Sequence, residues 1–153
     1  MRKHNGFTLL EVLVTLLIVS LALLGIAGIL ANSLKNDQSA YSRSQAVLLA
    51  ADIIDRMRAN RTTAEIDPSP YALSLALPCV KSPASANAIA QSDLTEWCAA
   101  LKAAFPSGTG SVTRIASTDT VSPGQVTIVV QWDDSHGGAG GIATQTVTIE
   151  TRL

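Results

Sequence analysis

Aromatic and charged side chains are both scarce in this chain, at 4% and 15% of its 153 residues. The formal net charge is −1 and no cluster of Lys and Arg occurs, which argues against nucleic-acid binding through bulk electrostatics. There are only two cysteines, and two ligands alone do not make a zinc site, so the cysteines are interpreted as structural. We expect no metal and no other cofactor. The apolar fraction of 47% is ordinary for a folded protein, and the length allows one modest domain with an additional element.

A long stretch near the N-terminus lacks charge altogether. Residues 12–34 contain no Asp, Glu, Lys or Arg. With a rise of about 1.5 Å per residue, this stretch would form a helix roughly 34 Å long, enough to cross the roughly 30 Å hydrocarbon core of a bilayer. Arg2 and Lys3 precede it and predict a cytoplasmic N-terminus in the inner membrane. The chain after Leu34 is then predicted to be periplasmic.

Ordinary targeting segments explain this stretch only in part. A cleaved secretory signal has a shorter apolar region followed by small residues, whereas Ala27, Gly28 and Ala31 lie inside this one. A signal anchor fits the length better. Neither explains Glu11, because a carboxylate in a membrane helix is unfavourable by roughly 2.5–3.5 kcal/mol on insertion scales. We therefore expect Glu11 to have a partner or a function.

Cys79 and Cys98 both lie in the part of the chain that is predicted to be periplasmic. Because that compartment is oxidising, we expect the two cysteines to form a disulfide. Closing a loop of about 20 residues would stabilise a small head by roughly 3 kcal/mol in the chain-entropy model.

The segment after residue 34 continues with helical periodicity. No Gly or Pro interrupts residues 29–60, which predicts one long rod that ends within residues 60–70. Asp52 and Arg56 are predicted to pair on the solvated side of this rod. One broad apolar face is predicted to pack on a core, and it contains Ala46, Val47, Leu49, Ala50, Ile53, Ile54 and Met57.

A second set of apolar residues on the rod points away from that face. Leu34, Tyr41 and Leu48 recur every seven residues. They are either scattered exposed side chains, which are common in folded proteins, or a seam for neighbouring molecules.

The remaining chain predicts a small head. Residues 62–91 hold four of the six prolines and predict a surface loop with one short helical turn near residues 72–77. The next segment, "SDLTEWCAALKAAFPSG", predicts a short packed helix, with Asp93 and Glu96 as a capping box and Pro106 near its end. Three β-branched segments follow, "SVTRIAS", "QVTIVVQW" and "TQTVTIETRL", and predict antiparallel strands.

The N-terminus, "MRKHNGFTLLEVLV", resembles a type IV prepilin. The resemblance rests on four features that occur together: Gly6 at the end of a basic leader, the aromatic Phe7 after it, Glu11 at the fifth position when Phe7 is counted as the first, and the charge-free stretch. Further along, "AADIIDRMRANR" and "DLTEWCAALKAAFPSGTGSV" are similar to PilV-type minor pilins. The resemblance is strong over the first 35 residues and loose over most of the remainder.

The resemblance implies an α+β fold, with a long N-terminal helix packed on a small head that holds a short helix and an antiparallel sheet. Prepilin peptidase would cut after Gly6 and methylate the new amine of Phe7, and Glu11 would pair with the Phe7 ammonium of another subunit. The implied regions are a leader (residues 1–6), a transmembrane and filament-core helix (7–34), the periplasmic half of that helix (35–61), and a head (62–153) that divides into a loop with a short helix (62–110) and a sheet (111–153).

The resemblance also implies a non-enzymatic role as a minor pilin that helps to initiate pilus assembly and supports twitching motility and adhesion. Its partners would be prepilin peptidase, other minor pilins, the major pilin and the inner-membrane assembly platform. After assembly it would lie in the pilus, near the tip. A type II secretion pseudopilin shares the same leader and rod, and a signal-anchored periplasmic enzyme or binding module is the third alternative.

Where major pilins commonly carry a proline midway along the apolar helix, this chain has Gly28, with Gly25 one turn earlier. Glycine costs a helix about 1 kcal/mol relative to alanine, so local unwinding is one interpretation. Close approach of neighbouring helices is the other.

Other candidate site residues lack a supporting motif. His136 has no nucleophile or orienting acid around it in a catalytic spacing. Asp133 and Asp134 fall short of a calcium ligand set and are predicted to lie in a solvated loop. Trp97 and Trp132 are predicted to be core residues.

Overall fold

The structure is a computed structural model that describes residues 8–76, 79, 87–115, 124–135 and 143–153. It confirms the α+β fold. The described elements are α1 (Leu9–Ala59), α2 (Arg61–Ala64), α3 (Ala88–Ala104), β1 (Thr109–Ile115), β2 (Gln125–Trp132) and β3 (Gln145–Arg152). His136 lies outside the described residues.

The predicted rod is confirmed as a single helix, α1, of 51 residues. It begins after Thr8, whose side chain accepts a hydrogen bond from the Glu11 amide. The helix stays regular through Gly25 and Gly28, where an added Cβ would meet no atom within 4 Å. Of the two interpretations of Gly25 and Gly28, local unwinding is therefore absent from the isolated chain, and the surface at both glycines is open. The rod ends at Ala59, and Asn60 donates its amide to the Arg56 carbonyl.

Only the second half of α1 packs against the head. Five of the predicted core residues are buried there, namely Ala46, Ala50, Ile53, Ile54 and Met57, and Leu49 is half-buried. Val47 was predicted to belong to the same face, but it is 43% exposed. The prediction for Val47 is wrong because this residue lies on the flank of the helix and not on its core face. Arg58 lies on the same flank about three turns later, and its guanidinium donates to Thr151 on the outermost strand.

The sheet has the order β1-β2-β3, and both neighbouring pairs are antiparallel, as predicted. β2 alternates between core and outer face, with Val126, Ile128, Val130 and Trp132 buried. The ring of Trp132 stacks on Phe105, just after α3, with 5.3 Å between the ring centroids. The sheet therefore packs its inner face on both long helices.

The helical turn predicted near residues 72–77 is wrong for residues 72–76, and Leu77 lies outside the described residues. Leu73 instead forms an isolated antiparallel bridge with Val112 of β1, with both amide-to-carbonyl distances at 2.9 Å. The Leu73 side chain is buried, so a single extended residue closes the edge of the sheet there. One bridging residue leaves no periodic pattern in a sequence, which is why the pattern did not predict it.

The start of α3 also differs from the prediction. The helix begins at Ala88, and Asn87 accepts a hydrogen bond from the Ala90 amide at 3.0 Å. Asp93 and Glu96 lie inside the helix and do not form a capping box. Both carboxylates instead face Arg56 on α1.

Trp97 joins three elements. Its side chain is fully buried, and its indole Nε1 donates to the Leu49 carbonyl of α1 at 2.8 Å. Its ring also packs over Gly110 of β1, where an added Cβ would lie 2.5 Å from Cη2. Glycine is therefore required at position 110 for the strand to approach the ring.

We predict that Gly110→Ala destabilises the head by about 1–3 kcal/mol, because the new methyl group would force Trp97 or the strand to move. Thr113→Ala, at an exposed position of the same strand, is the matched control. Thermal unfolding of the full chain in detergent measures both variants, and equal midpoints for the two would contradict this account of the packing.

Candidate assembly site

Glu11 lies in the first turn of α1 and is exposed. Its amide donates to the Thr8 side chain at 3.3 Å and to the Thr8 carbonyl at 3.1 Å. An acid in the first turn also interacts favourably with the positive end of the helix dipole. Among the described residues no ion pair includes this carboxylate. Gly6 and Phe7, the predicted cleavage and methylation sites, lie outside the described residues.

The first half of α1 presents an apolar surface on all sides. Large side chains from Leu9 to Leu34 are 48% to 81% exposed. By length and composition, α1 is the one helix in the described part of the chain that could cross a membrane. An apolar surface of this extent is stable only in lipid or against other apolar helices.

The heptad-spaced residues continue that surface along the polar half of the rod. Leu34, Tyr41 and Leu48 are 69%, 61% and 62% exposed, so none of them belongs to the core. The Tyr41 hydroxyl accepts a hydrogen bond from Gln45 at 3.1 Å on the same face. Whether this set is a seam for other molecules stays a prediction.

Arg56 holds the rod to α3. Its guanidinium lies 3.1 Å from Asp52, 2.7 Å from Glu96 and 3.4 Å from Asp93. The pair of Arg56 with Asp52 was predicted, but its position on a purely solvated face was wrong, because the side chain is partly covered by α3. The hydrogen bond from Arg56 lowers the pKa of Glu96, and the same bond contributes most to the raised pKa of Arg56.

Tyr71 extends this network into the loop after the rod. Its side chain is fully buried, its hydroxyl donates to Asp93 at 2.5 Å, and it accepts from Asn60 at 3.1 Å. Burial raises the pKa of Tyr71 to about 12, and the hydrogen bond to Asp93 acts in the same direction. Tyr71 therefore stays neutral far above its ordinary range and fixes the loop against both helices.

Two further contacts fix the head. The predicted disulfide is confirmed, with Cys79 and Cys98 joined at an S–S distance of 2.06 Å. Asp134 was predicted to lie in a solvated loop but is 6% exposed, because its carboxylate accepts a hydrogen bond from Ser39 of α1 at 2.5 Å. Within the described ranges, no three His, Cys, Asp or Glu side chains are grouped so that they could hold a metal ion.

Comparison with known proteins identifies the N-terminal segment. Residues 1–27 match the family described as "Prokaryotic N-terminal methylation motif". No curated protein and no solved structure matches the chain. The motif, joined to an apolar helix and a small head, supports a type IV prepilin-like protein. The motif implies processing by prepilin peptidase, membrane anchoring and assembly with other pilins. Proteins of this class are structural rather than catalytic.

The role of Tyr71 is tested by the pH dependence of stability. Because its pKa is raised from 10 to about 12 on folding, its contribution is complete below pH 10 and is lost as the pH rises from 10 towards 12. We predict that Tyr71→Phe is less stable than wild type by about 1–3 kcal/mol at neutral pH, since Asp93 and Asn60 lose a partner. The difference should shrink between pH 10 and 12.

Tyr41→Phe, at an exposed position on α1, is the matched control and should leave stability near wild type at neutral pH. Chemical denaturation of the full chain in detergent measures all three proteins. A difference between wild type and Tyr71→Phe that stays constant up to pH 12 would contradict the assigned role of the phenol.

Proposed function

We propose that this chain is a minor pilin of the type IV pilus. The observation that carries the proposal is the methylation motif at the start of a rod whose apolar half is wholly exposed and whose other half carries the head. Prepilin peptidase would cut after Gly6 and methylate Phe7. The mature chain would remain in the inner membrane, with its head in the periplasm, until it enters a filament.

Glu11 supplies the polar contact of assembly in this proposal. Its carboxylate would pair with the Phe7 ammonium of another subunit as the two apolar helices pack together. In a low-dielectric environment this attraction is much stronger than in water, although it must also offset the desolvation of both charges. The absence of a partner for Glu11 within the described residues is consistent with a partner on another molecule.

The likeness of the head and of the rod's end to PilV-type minor pilins supports the finer assignment. A minor pilin would act with other minor pilins, the major pilin and the inner-membrane assembly platform to initiate the filament near its tip. Pilus assembly, twitching motility and adhesion would then depend on this chain.

We predict that Glu11→Ala leaves leader cleavage intact and lowers the amount of this subunit in sheared pili at least about tenfold, which corresponds to a loss of about 1.4 kcal/mol. N-terminal sequencing should still find methylated Phe7. Glu65→Ala is the matched control, because that acid pairs only with Arg61 on the head surface in the described structure. Wild-type levels of the Glu11→Ala subunit in pili would contradict the assembly role.

Deletion of the gene separates the pilus from the secretion system. A minor pilin is supported if twitching motility falls while exoprotein secretion continues. A type II secretion pseudopilin is supported if secretion fails and motility continues. A mature N-terminus that still begins at Met1 would exclude both and favour a signal-anchored periplasmic protein.

A further inference from the structure

A groove opens between β1 and the loop that follows α2. One wall is formed by residues 112–114 of β1, and the other by residues 67–69 and 72–74. The groove holds about 400 Å³, which is within the range of sites that bind ligands. It lies at the end of the sheet beside the last turn of α1, and therefore at the opposite end of the head from the apolar half of the rod.

The groove exists because the loop leaves the edge of the sheet after a single bridge. Leu73 pairs with Val112, and a continued antiparallel ladder would place residue 71 opposite Arg114. Ser69 prevents this continuation, because its carbonyl and its hydroxyl accept the amides of the two residues before Leu73. The ladder position opposite Arg114 is therefore open among the described residues.

Arg114 borders the groove and has hydrogen-bonding groups without a partner in the described chain. Val112 directs both its backbone groups to Leu73, away from β2, so Arg114, two residues later, directs its amide and carbonyl the same way. Neither group has a partner among the described residues. The guanidinium forms no ion pair there, and its Nε is buried without a hydrogen bond. Such unpartnered buried donors are uncommon in folded proteins.

The facing wall carries a charge of the opposite sign. Asp67 is exposed, and its carboxylate forms no ion pair within the described ranges, with Arg114 or with any other residue. A simple anion in the groove would be repelled by Asp67, and a simple cation by Arg114. The amide and carbonyl of Arg114 require an acceptor and a donor together. An extended peptide with acidic and basic side chains supplies all four groups.

Exposed apolar side chains lie around the groove. The described part of the head exposes four large apolar side chains. Three of them, Ile66, Leu75 and Ile115, are each next in sequence to a residue of the groove walls, and they are 52%, 45% and 59% exposed. A peptide that extends beyond the groove would cover this apolar rim, whereas a small molecule inside the groove would leave it in water. The rim therefore favours a peptide over a small zwitterion.

We propose that this groove binds an extended peptide segment of another protein, with an acidic side chain for Arg114, a basic one for Asp67 and apolar residues for the rim. The peptide backbone would pair with the amide and carbonyl of Arg114, as when a strand is added to the edge of a sheet. The proposal concerns the head alone and does not depend on the chain being a minor pilin.

A set of acetylated and amidated pentapeptides is the probe. Each has valine at the first, third and fifth positions, and the set covers every combination of Glu, Lys and Gln at the second and fourth. NMR titration of the isotope-labelled full chain in detergent measures the Kd of each peptide. We expect a peptide with one Glu and one Lys to bind at least about tenfold more tightly than the peptide with two Gln, because it pairs with both charges.

Variants of the two charged residues test the assigned contacts. Asp67→Asn and Arg114→Gln should each abolish the preference for the mixed peptide. Asp67→Lys combined with Arg114→Glu exchanges the two charges and should reverse the preference between the Glu-Lys and Lys-Glu orders, which loss of structure alone would not do. Glu65→Gln is the matched control, because it removes a nearby acid that pairs with Arg61 outside the groove, and it should bind like wild type.

Amide hydrogen exchange of wild type locates the peptide and keeps the test decisive if a variant does not fold. The Arg114 amide should exchange at least about tenfold more slowly with the tightest-binding peptide than without it, whereas the Thr113 amide, which faces β2, is protected in both states. Three results would each overturn the proposal: equal affinities across the peptides, an Arg114 amide that is already protected in the free chain, and sodium acetate shifting the Arg114 signals as strongly as the best peptide.

Discussion

The structure depends on the continuity of α1, a single helix that is apolar on every side in its first half and buries one face against the head in its second half. A kink or a loop between the two halves would allow the head to adopt other orientations relative to the first half of α1. Here the face that holds Ala46, Ala50 and Ile53 is buried in the core, so it determines on which side of the rod the head packs. The exposed apolar surface of the first half and the position of the head are thus set by one rigid element.

The head is held to this element by contacts of different chemistry. Trp97 packs against β1 and donates to a carbonyl of α1, so it needs both a glycine beneath its ring and a helix at hydrogen-bond distance. Arg56 and Tyr71 share the carboxylate of Asp93, and this sharing ties the rod, α3 and the loop after the rod. The individual surface ion pairs are each weak. Their combination with a buried phenol and a disulfide resists rotation of the head about the rod.

Periodic signals predicted the rod, the three strands and the packing of Trp97 and Trp132, because each depends on a pattern that repeats within one element. The errors fall where a single residue's partner lies far along the chain. Asp93 and Glu96 have the spacing of a capping box, yet they serve Arg56, 37 and 40 residues earlier. Asp134 is buried because Ser39 is 95 residues away in sequence and adjacent in space. The bridge at Leu73 and the exposure of Val47 depend equally on tertiary packing.

Glu11 illustrates how one position can meet two requirements. In the first turn of α1, the carboxylate lies beside helix amides without intrahelical partners and beside the positive end of the dipole, both of which favour an anion. The same residue in the middle of residues 12–34 would have neither advantage, since every amide there is already bonded within the helix. A lone acid is therefore least costly at the end of the apolar segment. That is also the end where a new ammonium group would appear if a leader were removed after Gly6, so under the proposed function a single site would serve both the isolated subunit and an assembled one.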